Sequence, residues 1–181
     1  MPFQIQKITA EILKKAEKYF PQKYRENFSD ESLAARFLIS QKVKKEFGIE
    51  NFFPRFKKSG APKIYQNIFF SLSHKESFVA VAIGKQKIGI DLEILKQRDE
   101  ILWKRFSENE WEILGEKNWR NFYFLWTAKE ALIKKLTLDL DALGEIFLQN
   151  EKQNQLVLQF NKTNFLVKIS QKENLICAIA K

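Results

Sequence analysis

The chain has 181 residues, 45% hydrophobic and 14% aromatic, which is enough apolar material for a packed core and too much for a disordered segment. Its 31 lysines and arginines against 22 acidic residues leave a net charge of +9, which points to an anionic partner (nucleic acid, phosphorylated cofactor or acidic protein) without choosing among them. One histidine and one cysteine exclude a His-rich zinc site and any disulfide within the chain.

Taken in chain order, apolar residues at 8, 12, 13, 16 and 19 predict a helix over Ile8–Tyr19, stopped before Pro21. Ser29 is placed to cap a second helix. Asp30 and Glu31 suit its first turn, Leu33, Ala34, Phe37, Leu38 and Val43 supply its buried side, and Gly48 ends it. Residues 51–56 read as strand and 59–62 as a turn. Ile68–Ser73, Phe78–Ile83 and Lys87–Glu93 read as strands, with Gly84-Lys85-Gln86 a tight connection between the last two. Helix returns over Ile101–Phe106, Glu108–Leu114 and Trp119–Leu136. Strands follow at Ile146–Gln149, Gln155–Phe160, Phe165–Ile169 and the apolar tail. The expectation is an α+β chain of two helix-then-strand halves, 1–84 and 85–181, without a sequence repeat that proves duplication. No apolar run approaches the roughly 20 residues that span a bilayer. Met1-Pro2-Phe3-Gln4 lacks the opening of a secretory signal, so the expected location is cytoplasmic.

Two acidic blocks carry the chemistry. In Gly89-Ile90-Asp91-Leu92-Glu93 the carboxylates are two apart on a strand, on one face at roughly 6.6 Å, while Leu92 turns to the core. In Trp126-Thr127-Ala128-Lys129-Glu130-Ala131-Leu132-Ile133-Lys134, Glu130 and Lys134 are four apart and share a helix flank. A magnesium diphosphate site needs both signs; a solvated surface ion pair is the plain alternative for the helical two. Lys129 falls near the centre of the apolar stripe Phe122, Leu125, Trp126, Leu132, Ile133 and Leu136, so its ammonium must snorkel to solvent or meet a carboxylate or phosphate. His74 ends the strand Phe69-Phe70-Ser71-Leu72-Ser73-His74, where a phosphate contact and a surface role are both open. Cys177, in an apolar strand-like tail, reads as a buried inert thiol. The six glycines form neither a P-loop nor a dinucleotide fingerprint, so any phosphate is held by side chains and metal.

Ser71-Leu72-Ser73-His74, Val79-Ala80-Val81-Ala82, Gly89-Ile90-Asp91-Leu92-Glu93, Phe106-Ser107 with Glu110, and Trp126-Thr127-Ala128-Lys129-Glu130 with Lys134 occur in this order. The set, covering roughly residues 33 to 136, resembles the phosphopantetheinyl transferases of the surfactin-synthetase-activating type. The resemblance implies a monomer of two similar α+β halves packed as a pseudo-dimer, with coenzyme A in the cleft between them and no nucleic acid or membrane as partner. It implies transfer of the phosphopantetheine arm from coenzyme A to a serine of an apo acyl or peptidyl carrier protein, releasing adenosine 3',5'-bisphosphate. Asp91, Glu93 and Glu130 would hold magnesium. Ser73, His74, Arg36, Lys129 and Lys134 would contact coenzyme A. Lys134 would also stabilise departing charge and Glu130 would help take the serine proton. Glu110 is a further base or a structural group. Where members carry Gly-Lys-Pro, this chain has Gly60-Ala61-Pro62-Lys63, which puts Lys63 forward as the replacement for the nucleotide-side lysine. A magnesium phosphohydrolase and a basic nucleic-acid-binding module are the alternatives from other classes.

Overall fold

The computed structural model describes residues 3–26, 28–58 and 60–181. The chain divides into two compact units, 1–88 and 89–181. The boundary therefore falls after Ile88 rather than after Gly84. Lys85 belongs to the first unit, where its ammonium lies 4.6 Å from the centroid of the Phe47 ring.

The first unit runs β1 (Phe3–Lys7), α1 (Ala10–Tyr19), α2 (Gln22–Arg25), α3 (Asp30–Phe47), β2 (Phe69–Lys75) and β3 (Phe78–Gly84). Its antiparallel sheet has the order β1-β3-β2. Helix α3 forms where its caps dictate: the Ser29 hydroxyl accepts from the Ser32 amide, and Gly48 leaves the helix at φ 69°, a left-handed conformation that costs glycine little. Leu33, Ala34, Phe37, Leu38 and Val43 pack with Phe70, Val79, Val81 and Ile83 of the sheet, as the apolar spacing requires.

Two departures mark this unit. The short strand β1 was not expected, although Phe3 and Ile5 alternate with Gln4 and Gln6; it pairs from Phe3↔Ala82 to Lys7↔Phe78. Residues 51–56 do not form a strand and make one isolated bridge, Phe56↔Pro62. Pro54 has no amide to give a ladder, and its carbonyl instead accepts from the Tyr24 hydroxyl and the Arg36 guanidinium. Aromatic packing replaces the ladder: Phe53 meets the edges of Tyr19 and Phe20, and Phe52 those of Tyr65 and Phe70. Ser59, part of the expected turn, and Met1-Pro2 lie outside the described residues.

The second unit runs β4 (Gly89–Ile94), α4 (Glu108–Leu114), α5 (Trp119–Leu136), β5 (Phe147–Lys152), β6 (Gln155–Phe160), β7 (Thr163–Lys172) and β8 (Leu175–Ala180). Its antiparallel sheet has the order β4-β8-β7-β6-β5. The stretch Gly84-Lys85-Gln86, expected as a tight connection, leads from β3 to a strand of a different sheet, where β4 pairs with β8 from Gly89↔Ala180 to Ile94↔Leu175. The helix expected over 101–106 is a 3₁₀ segment, Glu100–Arg105, started by the Asp99 carboxylate on the Ile101 amide. Helix α5 has the expected bounds: Asn118 caps it through the Asn121 amide, and Thr137 ends it at φ 61°. Phe122, Leu125, Ala128, Ala131 and Leu132 press against Leu156, Leu158, Val167, Ile176 and Ala178. No helix among the described residues is long and apolar enough to cross a membrane.

Cys177 is buried on β8 opposite Leu92. Burial, reinforced by the Asp91 charge, pushes its thiol up to about 12 from an ordinary 9.0. Since the folded value is raised, the protonated thiol's contribution to stability is fully present below about pH 9 and is lost as pH rises toward about 12. The native protein is expected to resist a thiol reagent near pH 8 and to react fully once unfolded; rapid modification of native protein would contradict this burial.

Candidate active site

The site begins with an absence of side chain. A Cβ on Gly89 would lie 1.9 Å from the Ala131 carbonyl oxygen and 2.6 Å from the Lys135 amide nitrogen, so only glycine lets the start of β4 lie directly on the backbone of α5. From that contact the strand period carries Asp91 and Glu93 along the same face as Gly89, and the helical period puts Glu130 and Lys134 on the neighbouring flank of α5. Asp91 is 2% exposed and Glu93 9%, while Glu130 is half-buried.

The structure brings these groups together. Asp91, Glu93 and Glu130 each present a carboxylate oxygen, all within 4.8 Å of one another. Lys134 Nζ lies 2.6 Å from Asp91 Oδ1, with its side chain 32% exposed. Three carboxylates against one ammonium leave two formal negative charges, which a divalent cation offsets. The donors are hard oxygens from a strand and a helix. That set suits magnesium, which takes one or more carboxylates and fills its octahedron with water and substrate phosphate.

Lys129 meets a carboxylate. Its side chain is 2% exposed and its ammonium sits 2.7 Å from Glu110 Oε1, whose side chain is 4% exposed. The ammonium also lies 4.9 Å from the centroid of the Phe106 ring. Burial holds this lysine below its usual range and the Glu110 charge pulls it partly back. Of the partners open to it in sequence, the carboxylate of Glu110 is the one the structure places against it. Glu110 is equally committed. It closes a capping box with Ser107 at the start of α4 and accepts from the Leu148 amide at 3.1 Å. These contacts engage both of its oxygens.

In the first unit, Ser73 and His74 are consecutive on β2 and face opposite ways: Ser73 is buried and His74 exposed. Arg36 is held between two rings, 3.8 Å from the Phe28 centroid and 4.2 Å from that of Phe56, and donates to the Pro54 carbonyl at 3.2 Å. Lys63 has a setting the sequence did not disclose. With Arg55 it lines a cavity of about 410 Å³ walled also by Asn51, Phe52, Phe53, Ile64 and Tyr65. The cavity exists because the expected strand at 51–56 is an irregular arm, joined to the 61–65 segment by the Lys63 amide on the Arg55 carbonyl.

Comparison with known proteins places the chain in a family. The family model described as "4'-phosphopantetheinyl transferase superfamily" matches residues 87–180, which include Asp91, Glu93, Glu130 and Lys134. Similar curated proteins include 4'-phosphopantetheinyl transferase gsp of Aneurinibacillus migulanus, 31% identical over 134 residues covering 70% of this chain. Two more are psf-1 of Bacillus pumilus, 35% identical over 83 residues and 42% of this chain, and Sfp of Bacillus subtilis (strain 168), 37% identical over 84 residues and 41% of this chain. The matched stretches span 56%, 36% and 38% of those proteins, so the chain covers about half or less of the length of these relatives. With more than half of its residues matched by the family model and the acidic cluster inside that match, the chain belongs to the 4'-phosphopantetheinyl transferase superfamily.

Proposed function

We propose that this protein transfers the 4'-phosphopantetheine arm of coenzyme A to a serine of an apo acyl or peptidyl carrier protein in a magnesium-dependent reaction. The observation that carries the proposal is the convergence of Asp91, Glu93 and Glu130 within 4.8 Å, with Lys134 2.6 Å from Asp91. A bound magnesium ion would be held by these three carboxylates and would supply charge neutralisation to the diphosphate of coenzyme A.

The chain's own groups do the rest. Lys134 keeps one N–H on Asp91 and turns its remaining donors toward the diphosphate, where negative charge builds on the transferring and bridging oxygens. The serine oxygen forms a bond to the β-phosphorus as the bridging P–O bond breaks, and adenosine 3',5'-bisphosphate leaves with that electron pair. Glu130 accepts the serine proton, because a hydroxyl is a poor nucleophile at neutral pH without a positioned base. The protein works as a monomer, and its +9 charge favours an acidic carrier.

In the first unit His74 offers an exposed imidazole to a coenzyme A phosphate, Ser73 and Arg36 supply further contacts to coenzyme A, and Arg55 and Lys63 take the place of the family's nucleotide-side lysine. Two cations among Phe53 and Tyr65 suit a phosphorylated purine. Arg55→Ala with Lys63→Ala is expected to raise KM for coenzyme A about 10-fold while changing KM for 3'-dephospho-coenzyme A less than about 2-fold. Equal effects on both donors would remove these residues from phosphate recognition.

The test of the whole proposal is intact-mass analysis of a panel of apo carrier proteins. One phosphopantetheine should be gained, only with coenzyme A and magnesium both present. Release of phosphate or diphosphate without any acceptor would favour the phosphohydrolase alternative instead.

A further inference from the structure

We propose that the buried Lys129–Glu110 ion pair is a positioning device for Glu130, fixing the rotation of α5 so that the Glu130 carboxylate stays in register with Asp91 and Glu93. The inference rests on the assignment of those three residues to a divalent cation, and it concerns a pair outside that cluster.

Glu110 is a junction. Its Oε2 accepts from the Ser107 amide at 3.0 Å and the Ser107 hydroxyl at 3.2 Å, and its Oε1 accepts from the Leu148 amide at 3.1 Å and faces Lys129 Nζ at 2.7 Å. One carboxylate thus ties the start of α4 and the start of β5 to the middle of α5. Lys129 immediately precedes Glu130, and the two side chains leave the helix about 100° apart. On one flank, then, α5 is pinned by Lys129 to Glu110; on the other it is pinned by the Gly89–Ala131 backbone contact and by Lys134 on Asp91. Glu130 lies between these anchors.

The pinning matters because of leverage. Side-chain ends lie roughly 5 to 6 Å from a helix axis, so a turn of about 20° displaces them by about 2 Å. Magnesium tolerates departures of only about 0.2 Å from its oxygen distances. Apolar packing along the Phe122–Leu132 stripe resists such a rotation softly, whereas a directional hydrogen-bonded pair resists it at a point. Buried ion pairs are weak sources of stability, and setting register is a use that fits their directionality.

The test compares Lys129→Met and Lys129→Arg with the unaltered chain, at a temperature where circular dichroism shows each folded. Lys129→Met leaves Glu110 its donors from Ser107 and Leu148 but no opposite charge, which is why the comparison is made only where each variant is folded. Manganese serves as a spectroscopic probe without coenzyme A. We expect Lys129→Met to weaken Mn²⁺ binding at least 10-fold and to lower kcat by a similar factor with KM for the carrier unchanged, and Lys129→Arg to restore both to within about 3-fold. Undiminished Mn²⁺ binding by folded Lys129→Met overturns the proposal, whether the variant is merely less stable or shows a raised KM for coenzyme A. Should Lys129→Met not fold, Glu110→Asp, which shortens the tether, is expected to weaken Mn²⁺ binding, and unchanged affinity there overturns the proposal equally. An unaltered chain that binds no Mn²⁺ under any condition overturns the metal assignment itself, a result separate from either variant's behaviour.

Discussion

Asp91→Ala is expected to lower transfer by at least about 10³-fold while leaving the helix and sheet content unchanged, and Glu130→Gln to do the same. Asp91 is buried and does two jobs: it contributes an oxygen to the carboxylate cluster and it holds the Lys134 ammonium at 2.6 Å. Removing it takes away one ligand and frees Lys134 to pair with the remaining acids, which blocks their use by a cation. Glu130→Gln is nearly isosteric and keeps one oxygen, but it loses both the charge and the proton acceptor. The measurements are intact-mass transfer rates beside far-ultraviolet circular dichroism. Retained turnover in both variants would refute the metal assignment, whereas lost turnover with lost structure would locate the damage in folding instead.

The second large effect is on stability. Gly89→Ala places a methyl group 1.9 Å from a backbone oxygen and 2.6 Å from a backbone nitrogen of α5, atoms that no rotamer change can move aside. The strand must retreat from the helix, which opens the packing beneath and carries Asp91 and Glu93 away from Glu130. A destabilisation at or above the upper end of roughly 1–3 kcal/mol is expected, together with loss of transfer. Gly84→Ala is the matched control, since its nearest new neighbour would be 3.5 Å away in ordinary contact. Denaturant unfolding of the two variants checks this; equal midpoints would show that β4 does not depend on that close approach.

How much of this was legible from residues alone varied with the kind of signal. Helix α3 was readable because a side-chain cap at Ser29, a glycine terminator at Gly48 and an apolar helical period agree, and α5 was readable from its apolar period alone. The carboxylate cluster was readable in part: a period of two aligns Asp91 with Glu93, and a period of four aligns Glu130 with Lys134, but that the two flanks meet depends on Gly89, whose role appears only when α5 lies on it. Lys129 was recognisable as out of place in its stripe, yet its partner Glu110 is in another helix, and pairing between elements leaves no local trace. The 51–56 segment misled because its aromatic residues have strand propensity while Pro54 breaks the ladder and cross-chain aromatic contacts fix it instead. Strand β1 is short, and its alternation is too brief to rise above chance in a single sequence.

The central claim, that Asp91, Glu93 and Glu130 hold one divalent ion against a diphosphate, is tested most directly by titrating Mn²⁺ into the protein with coenzyme A present and following the ion's electron paramagnetic resonance signal. One ion bound per chain, with affinity falling at least about 10-fold in Glu93→Gln and in Glu130→Gln, is the result these positions predict. Binding of Mn²⁺ that is the same in both variants and the unaltered chain would contradict it.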